Sequence, residues 1–246
     1  MNATIMGAGT VVSREQLSDL VTPTSTRTHV PVAHSHVVDR LHSHLTLAGY
    51  SVDKQKYLLA NDANRMFGAM DLTTRLGNGV GLSIGIQNSH DKKLKVRFLL
   101  GGRVWVCSNL DFSAEHVFSI AHRRNVLQNM ERALSEAVGR LGNYAYKRAS
   151  QIRSMQQIEV SDKQHDHIAC CGLRQGVITS REMKTVLDRS EEIGFHGRTA
   201  WATYNAFTRA LGHRFGEDAT ANSAAAGADR TLKLNNLFAN DSLLRN

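Results

Sequence analysis

The stretch NSHDKKLKVRFLLGGRVWVCSNLDF, Asn88 to Phe112, contains two extended segments on either side of a double glycine, Gly101 and Gly102. Basic and apolar residues alternate in its first half, which is the two-residue period of a strand with one cationic and one apolar face. The basic residues of this alternation are Lys93, Lys95 and Arg97. We therefore predict two strands, residues 93–100 and 103–107, separated by a turn at the glycines.

Three more candidate strands precede this stretch, and turn-forming residues separate them. They cover residues 56–60, 65–76 and 80–88. The GNGVG segment at residues 77–81 lacks the third glycine of a dinucleotide-binding loop and the Gly-Lys-Ser/Thr of a phosphate loop, so it indicates a turn. Connections this short favour an antiparallel meander, because parallel neighbours need long crossovers.

Helical patterns flank the strands on both sides. Ser113 resembles an N-cap, Glu115 follows in the first turn, and apolar residues then recur at helical spacing, which predicts a long helix over residues 114–153. Shorter helices are predicted in HSHVVDRLHSHLTLAGY, SREMKTVLDRSEEIG and TAWATYNAFTRALGHRF. The expected fold class is α+β: a curved antiparallel sheet of roughly four or five strands packed on one long helix, with a helical C-terminal portion.

The chain of 246 residues is expected to contain one core domain. Residues 1–32 are predicted to be a flexible N-terminal arm, 33–215 a single α+β core domain, and 216–246 a low-complexity linker and C-terminal tail. Neither an apolar run of membrane-spanning length nor a signal-peptide pattern is present, and the three cysteines form no disulfide framework. These features predict a cytoplasmic protein with no membrane partner.

The charge balance favours a polyanionic partner. Lys and Arg number 30 against 22 Asp and Glu, a formal net charge of +8. Basic residues are predicted on one sheet face and on the helix face opposite its apolar stripe, where they would line one groove for a phosphate backbone. The candidate nucleic-acid-binding residues are Lys93, Lys95, Arg97, Arg103, Arg132, Arg140 and Lys147. An ordinary solvated face is the alternative interpretation.

Two other groups of residues contain the side-chain types of enzyme active sites. Zinc ligand types cluster in HDHIACC, as His165, His167, Cys170 and Cys171, although adjacent cysteines form a poor chelate pair. On the first helix, solvated histidines beside an apolar stripe explain the HSHVVDRLHSH pattern without a metal. The residue types of a thiol protease also occur, as Cys107, Asn109 and His122. Cys107, however, ends a Val-Trp-Val run where a small buried residue is expected, so no catalytic residue and no cofactor are assigned.

The opening stretch resembles the Asn-Ser-Tyr-Asp-Gly-Ser … Arg … Val-Cys-Thr-Asn-Gly core of a phage and plasmid family, domain of unknown function 932, also called phage/plasmid-like protein. IAHRRN, with His122, and GRTAWATYNAFTRALGH, with Asn205, resemble two further motifs of that family in the expected order. His90 replaces the family's tyrosine, and Leu110 replaces the glycine after the asparagine. The resemblance implies a mobile-element origin, a bacterial host cytoplasm, and a structural role for Cys107 and Asn109.

These observations together predict a nucleic-acid-binding protein of a phage or plasmid. Single-stranded DNA is the favoured partner, with binding or annealing during replication or recombination as the expected role, and a homo-oligomer would fit it. The order of helix, strands and long helix is also that of phage single-strand annealing proteins, which is an analogy of fold alone. The alternatives are a metal- or thiol-dependent enzyme and a host-interaction protein that counters defence.

Overall fold

The computed structural model describes residues 10–77, 79–104, 109–188 and 197–239. In these segments six strands form one sheet in sequence order, and each pairs antiparallel with the next, so the predicted meander and the α+β class are confirmed. The strands are β1 Thr10–Val12, β2 Val52–Ala60, β3 Arg65–Gly77, β4 Val80–Ser89, β5 Val96–Val104 and β6 Asn109–Ile120. The chain turns between Gly77 and Val80, as the GNGVG segment predicted.

Helices precede and follow the sheet in the chain. They are α1 Arg14–Ser18, α2 His34–Leu47, α3 Val126–Gln157, α4 Asp162–Arg174, α5 Ser180–Leu187, α6 Ala200–Gly212 and α7 Ala221–Phe238. The longest is α3, with 32 residues. One face of the sheet packs against α2 and α3, where apolar side chains from alternate strand positions, such as Met70, Ile84 and Phe98, share a fully buried core with Leu41 and Leu134.

Helix α7 covers the opposite face of the sheet. Alanines on α7, such as Ala224 and Ala228, pack against Phe67, Leu99 and Phe112. The low-complexity composition of this region predicted a linker, whereas the structure has a helix, because alanine has the highest helix propensity and needs only a complementary surface. A capping box at Thr220 fixes where the helix begins.

The start of the long helix was predicted wrongly. Residues 114–120 belong to β6, and α3 begins only at Val126. Within β6, His116, Phe118 and Ile120 are buried while the residues between them are more exposed, which is the period of a strand. The cap-like Ser113 and the helix-forming Glu115 misled the interpretation, because pairing with β5 outweighs such local preferences.

The double glycine lies inside β5 and is not the predicted turn. A side chain at Gly101 would clash with the carbonyl oxygen of Asp111 on β6, and one at Gly85 would come within 2.7 Å of the Phe112 ring. Glycine therefore allows the close approach of backbone and ring at this point of the sheet. The pairing of β5 with β6 also shifts register between Leu99 and Gly101.

The segment predicted to be an arm has ordered structure from residue 10 onwards. Strand β1 pairs with β2, and α1 begins with a capping box at Ser13 and buries Leu17. Arg14 forms an ion pair with Asp39 of α2 at 2.6 Å. Residues 10–18 and 29–32 therefore pack on the domain, residues 23–28 are exposed, and residues 1–9 lie outside the described part of the chain.

Candidate functional site

An open groove of about 510 Å³ runs between the edge strand β6 and helix α3. Strand β6 is the last in the sheet order, so in the described part of the chain no strand pairs with its outer side. We call this the edge groove, and its lining comprises Glu115, Val117, Phe118, Ser119, Ile120, Ala121, Arg123, Asn129, Arg132, Ala133, Glu136 and Arg140. An exposed strand edge offers backbone N–H and C=O groups to a ligand.

Arginines give the edge groove a positive charge. Arg123, Arg132 and Arg140 outnumber Glu115 and Glu136 in its lining. Arg123 and Arg132 are exposed and form no ion pair among the residues that the structure describes. Both guanidinium groups are therefore available to a phosphate.

Arg140 lies across the groove. Its guanidinium is 5.5 Å from the centroid of the Phe118 ring and pairs with Glu136 one helical turn earlier. The guanidinium over the ring is a cation–π arrangement, and it connects α3 with the edge strand.

A smaller pocket of about 240 Å³ continues the groove along β6 and shares Glu115 with it. We call this the end pocket. It is lined by Ser113, Glu115, His116, Tyr144, Lys147, Arg148, Gln151, Asn235, Asn236 and Ala239. Lys147 is exposed and continues the basic line of Arg132 and Arg140 along α3.

A buried ion pair forms the floor of the end pocket. Arg148 of α3 donates a hydrogen bond to Asp111 of β6, and both side chains are almost wholly buried. Tyr204 of α6 donates its hydroxyl to Asp111 at 2.5 Å, and Asn235 of α7 donates to the same carboxylate at 2.7 Å. Burial opposes the charge on Arg148, but the Asp111 carboxylate raises the pKa of that guanidinium above its ordinary value. The Arg148 guanidinium is therefore charged, and its contact with Asp111 lies where β6, α3, α6 and α7 meet.

The predicted helix residues lie along one line, but the sheet residues do not join them. Arg132 and Arg140 line the edge groove, and Lys147 lines the end pocket. Lys93 and Lys95 are exposed in the connection between β4 and β5. That connection lies at the end of the sheet where Val96 pairs with Ile120, so the two lysines are beyond the groove rather than opposite α3.

Arg97 and Arg103 lie on the other face of the sheet. Arg97 pairs with Asp229 of α7 at 2.9 Å, and Arg103 pairs with the buried Asp71 at 2.6 Å. The structure therefore does not bring these two arginines into one groove with α3. They bind carboxylates on the face that α7 covers.

The predicted zinc ligands do not form a metal site. His165 is fully buried, with Nδ1 3.1 Å from the Thr203 hydroxyl and Nε2 2.9 Å from the carbonyl oxygen of Val186. Cys170 and His167 are exposed on α4, and Cys171 is half-buried. In the described segments, no group of three or more His, Cys, Asp or Glu is arranged to hold a metal ion.

Of the three thiol-protease residue types, the structure describes the side chain of His122. Cys107 lies outside the described residues, and so does the side chain of Asn109. His122 is buried, with Nδ1 3.2 Å from the carbonyl oxygen of Val30. Asn205 is also buried and donates to the carbonyl oxygen of Trp201 at 2.8 Å. Both residues of the family-like motifs therefore contact backbone in the interior.

Four histidines lie close together and buried where the N-terminal segment meets the sheet. They are His29, His34, His90 and His122. The rings of His34 and His90 stack with centroids 4.1 Å apart, and Asn88 donates to Nδ1 of His34 at 2.8 Å. Burial lowers the pKa of His34 to about 3, so this ring is neutral. The helix pattern had suggested that His34 was solvated, and the structure corrects this.

The Asp111–Arg148 pair was not predicted from the sequence, although one signal was present. Arg148 occupies a position of the apolar stripe of α3, between the buried Leu141 and Ile152. A charged residue in such a stripe indicates a buried ion pair, because an unpaired charge there would be very costly. Asp111 and its partners on α6 and α7 carry no comparable local signal.

Among the helices of the described segments, none combines the length and the apolar content that a membrane crossing needs. Neither the curated proteins nor the solved structures provide a match to the chain. One family model, described as "Domain of unknown function (DUF932)", matches residues 48–236, which is more than half of the chain and includes the edge groove and every residue of the end pocket except Ala239. The family suggested by the sequence motifs is therefore confirmed, and the chain belongs to the DUF932 family.

Proposed function

We propose that this protein binds single-stranded nucleic acid, with its phosphate backbone in the edge groove. The observation that carries the proposal is the line of Arg132, Arg140 and Lys147 along α3, beside a strand whose outer edge is unpaired in the described chain. With a rise of 1.5 Å per residue, these cations are about 12 Å and about 10 Å apart along the helix axis. A flexible polyanion can follow such a line.

The edge strand supports the proposal as well as the cations. Backbone N–H groups and arginine side chains are the usual donors to phosphate oxygens. The buried Phe118 ring lies beneath Arg140 and holds its guanidinium next to those donors. The net charge of +8 favours any polyanion through the release of counterions.

A single strand fits the groove better than a duplex. A duplex presents two rigid backbones and a broad surface, whereas the edge groove is a single open groove of about 510 Å³ between one strand and one helix. We place the activity in the replication or recombination of a phage or plasmid in its bacterial host, with DNA as the favoured polymer. Annealing of complementary strands by a homo-oligomer is one form that this activity would take.

Fluorescence anisotropy with labelled single- and double-stranded oligonucleotides of DNA and RNA tests the proposal. We expect the protein to bind single strands more tightly than duplexes. The double variant Arg132→Glu/Arg140→Glu should reduce single-strand affinity by at least tenfold. The control Lys163→Glu/Arg174→Glu makes the same change in charge on α4 and should bind as the parent protein does.

Either of two results would overturn the proposal. If the protein binds no oligonucleotide at low salt, or if both double variants weaken binding equally, the edge groove does not hold the strand. The second result would mean that net charge alone causes the affinity.

A further inference from the structure

The end pocket lies where a strand in the edge groove would continue past Arg140. Lys147, at its mouth, follows Arg140 by seven residues, which is about 10 Å along α3. Glu115 belongs to both linings, so the groove and the pocket are contiguous. A group attached to a backbone held at Lys147 would therefore be next to the pocket.

Most residues that line the pocket are of polar types, and their charges nearly balance. Lys147 is offset by Glu115, and the positive charge of Arg148 is offset by its ion pair with Asp111. A phosphate would gain little net attraction here, in contrast to the groove. A neutral group with hydrogen-bonding edges suits this lining better.

Two amide side chains are fixed in orientation by the pocket floor. Gln151 accepts a hydrogen bond from Arg148 through Oε1 at 2.6 Å, so its Nε2 group is left to donate. Asn235 uses Nδ2 to donate to Asp111 and to the carbonyl oxygen of Phe112, so its Oδ1 is left to accept. The pocket thus has one oriented donor and one oriented acceptor.

Aromatic rings provide the apolar part of the wall. His116 and Tyr144 pack edge to face, with ring centroids 5.2 Å apart. Burial lowers the pKa of His116, so its ring is neutral and adds no charge to the pocket. An aromatic surface next to an amide donor and an amide acceptor is the environment that binds a nucleobase.

We infer that the end pocket takes one unstacked nucleobase of a strand whose backbone lies in the edge groove. The inference rests on the proposed function and adds a base-binding subsite to it. The pocket is preorganised, because residues of β6, α3, α6 and α7 meet at the Asp111–Arg148 pair and hold its floor. Recognition of the base depends on Gln151 and Asn235, with Asn236 on the rim.

Competition between two probes tests this subsite: a dT oligonucleotide of about 16 nucleotides, and a fully abasic strand of the same length. We expect the parent protein to prefer dT by about fivefold or more, since each stacked base contributes at least about that factor. Gln151→Leu removes the donor, and Asn236→Trp fills the rim. Both variants should lose much of the preference for dT while retaining their affinity for the abasic strand.

Two controls separate the subsite from the groove. Ala226→Trp places the same ring on an exposed position of α7 and should keep the preference for dT. A dT strand that contains thiothymine should photo-crosslink to the peptides that contain Ser113–His116 or Asn235–Asn236, and the crosslink should disappear in Asn236→Trp.

Failure of the base subsite and failure of the groove proposal give different results. If the parent protein binds dT and the abasic strand equally, or if both pocket variants keep the full preference, the base subsite is overturned and the groove proposal survives. If neither probe binds, both proposals fail.

Discussion

Arg148 of α3 and Asp111 of β6 form an ion pair that is almost completely buried between the long helix and the edge strand. The same carboxylate accepts hydrogen bonds from Tyr204 and Asn235, and the Arg148 guanidinium lies 4.9 Å from the centroid of the Tyr204 ring. The pair therefore joins the edge strand to three helices. It also fixes the position of α3, and so the geometry of the edge groove.

Removal of one partner of this pair should be strongly destabilising. Asp111→Ala leaves the Arg148 charge buried without its carboxylate, so we expect the free energy of unfolding to fall by about 3–5 kcal/mol. Urea denaturation measures the loss. The matched control is Asp229→Ala, because Asp229 pairs with Arg97 but is 55% exposed, and it should cost less than about 1 kcal/mol. Equal losses in the two variants would contradict the account of the pair.

The buried histidines should make the fold sensitive to acid. Burial lowers the pKa of His34 to about 3, below its ordinary 6.5, so the unfolded chain binds a proton that the folded chain excludes. The free energy of unfolding therefore falls as pH drops below 6.5, by about 1.4 kcal/mol per pH unit for His34. His90 and His122 act in the same direction, since burial lowers the pKa of each.

Urea denaturation between pH 7.5 and pH 5 checks this prediction. His34→Asn should reduce the pH slope of stability by about 1.4 kcal/mol per unit, whereas His36→Asn, at an exposed position of the same helix, should leave it unchanged. A slope that is the same in both variants would show that His34 remains free to take up a proton in the folded state.

A pair of glycine substitutions should have opposite effects. Gly101→Ala places a Cβ against the backbone of Asp111 and the ring of Phe112, so we expect a loss of about 1–3 kcal/mol or more. Gly139→Ala lies on an exposed face of α3, where the new Cβ has no atom within 4 Å apart from the adjacent backbone of its own helix, and it should stabilise by about 0.8–1.0 kcal/mol. Thermal unfolding of the two variants decides whether the close approach at Gly101 is as tight as described.

The salt dependence of binding should report individual groove contacts. For single strands, each phosphate contact contributes about 0.7 to the slope of log affinity against log salt concentration. Arg132→Ala should lower the magnitude of that slope by about this amount with little effect on stability, since Arg132 is exposed. Lys163→Ala is the control. An unaltered slope in Arg132→Ala would remove this residue from the interface.

Local pattern was enough to predict much of the sheet and part of the site. The alternation and turns around Gly77 predicted the β3–β4 hairpin, and projection of α3 predicted that Arg132, Arg140 and Lys147 share a side of the helix. Both features depend only on residues close in sequence. The hydrophobic periodicity of the sequence therefore predicts such features directly.

The features that were not predicted depend on contacts between residues that are far apart in the chain. Residues 114–120 form a strand because β5 lies beside them, and residues 221–238 form a helix because their alanines pack against large apolar side chains of the sheet. The sequence alone does not show that Arg97 and Arg103 lie on the sheet face that α7 covers. The Asp111–Arg148 pair joins residues 37 apart in sequence, which no local pattern reports.

Hydrogen exchange with and without a saturating single-stranded oligonucleotide tests the central claim most directly. Backbone N–H groups on the outer edge of β6 should exchange rapidly in the free protein and slowly in the complex, because the bound strand covers them. We predict that protection is concentrated in residues 115–121 and in the side of α3 that carries Arg132 and Arg140. Unchanged exchange along β6 in a protein that demonstrably binds the oligonucleotide would contradict the account and place the strand elsewhere.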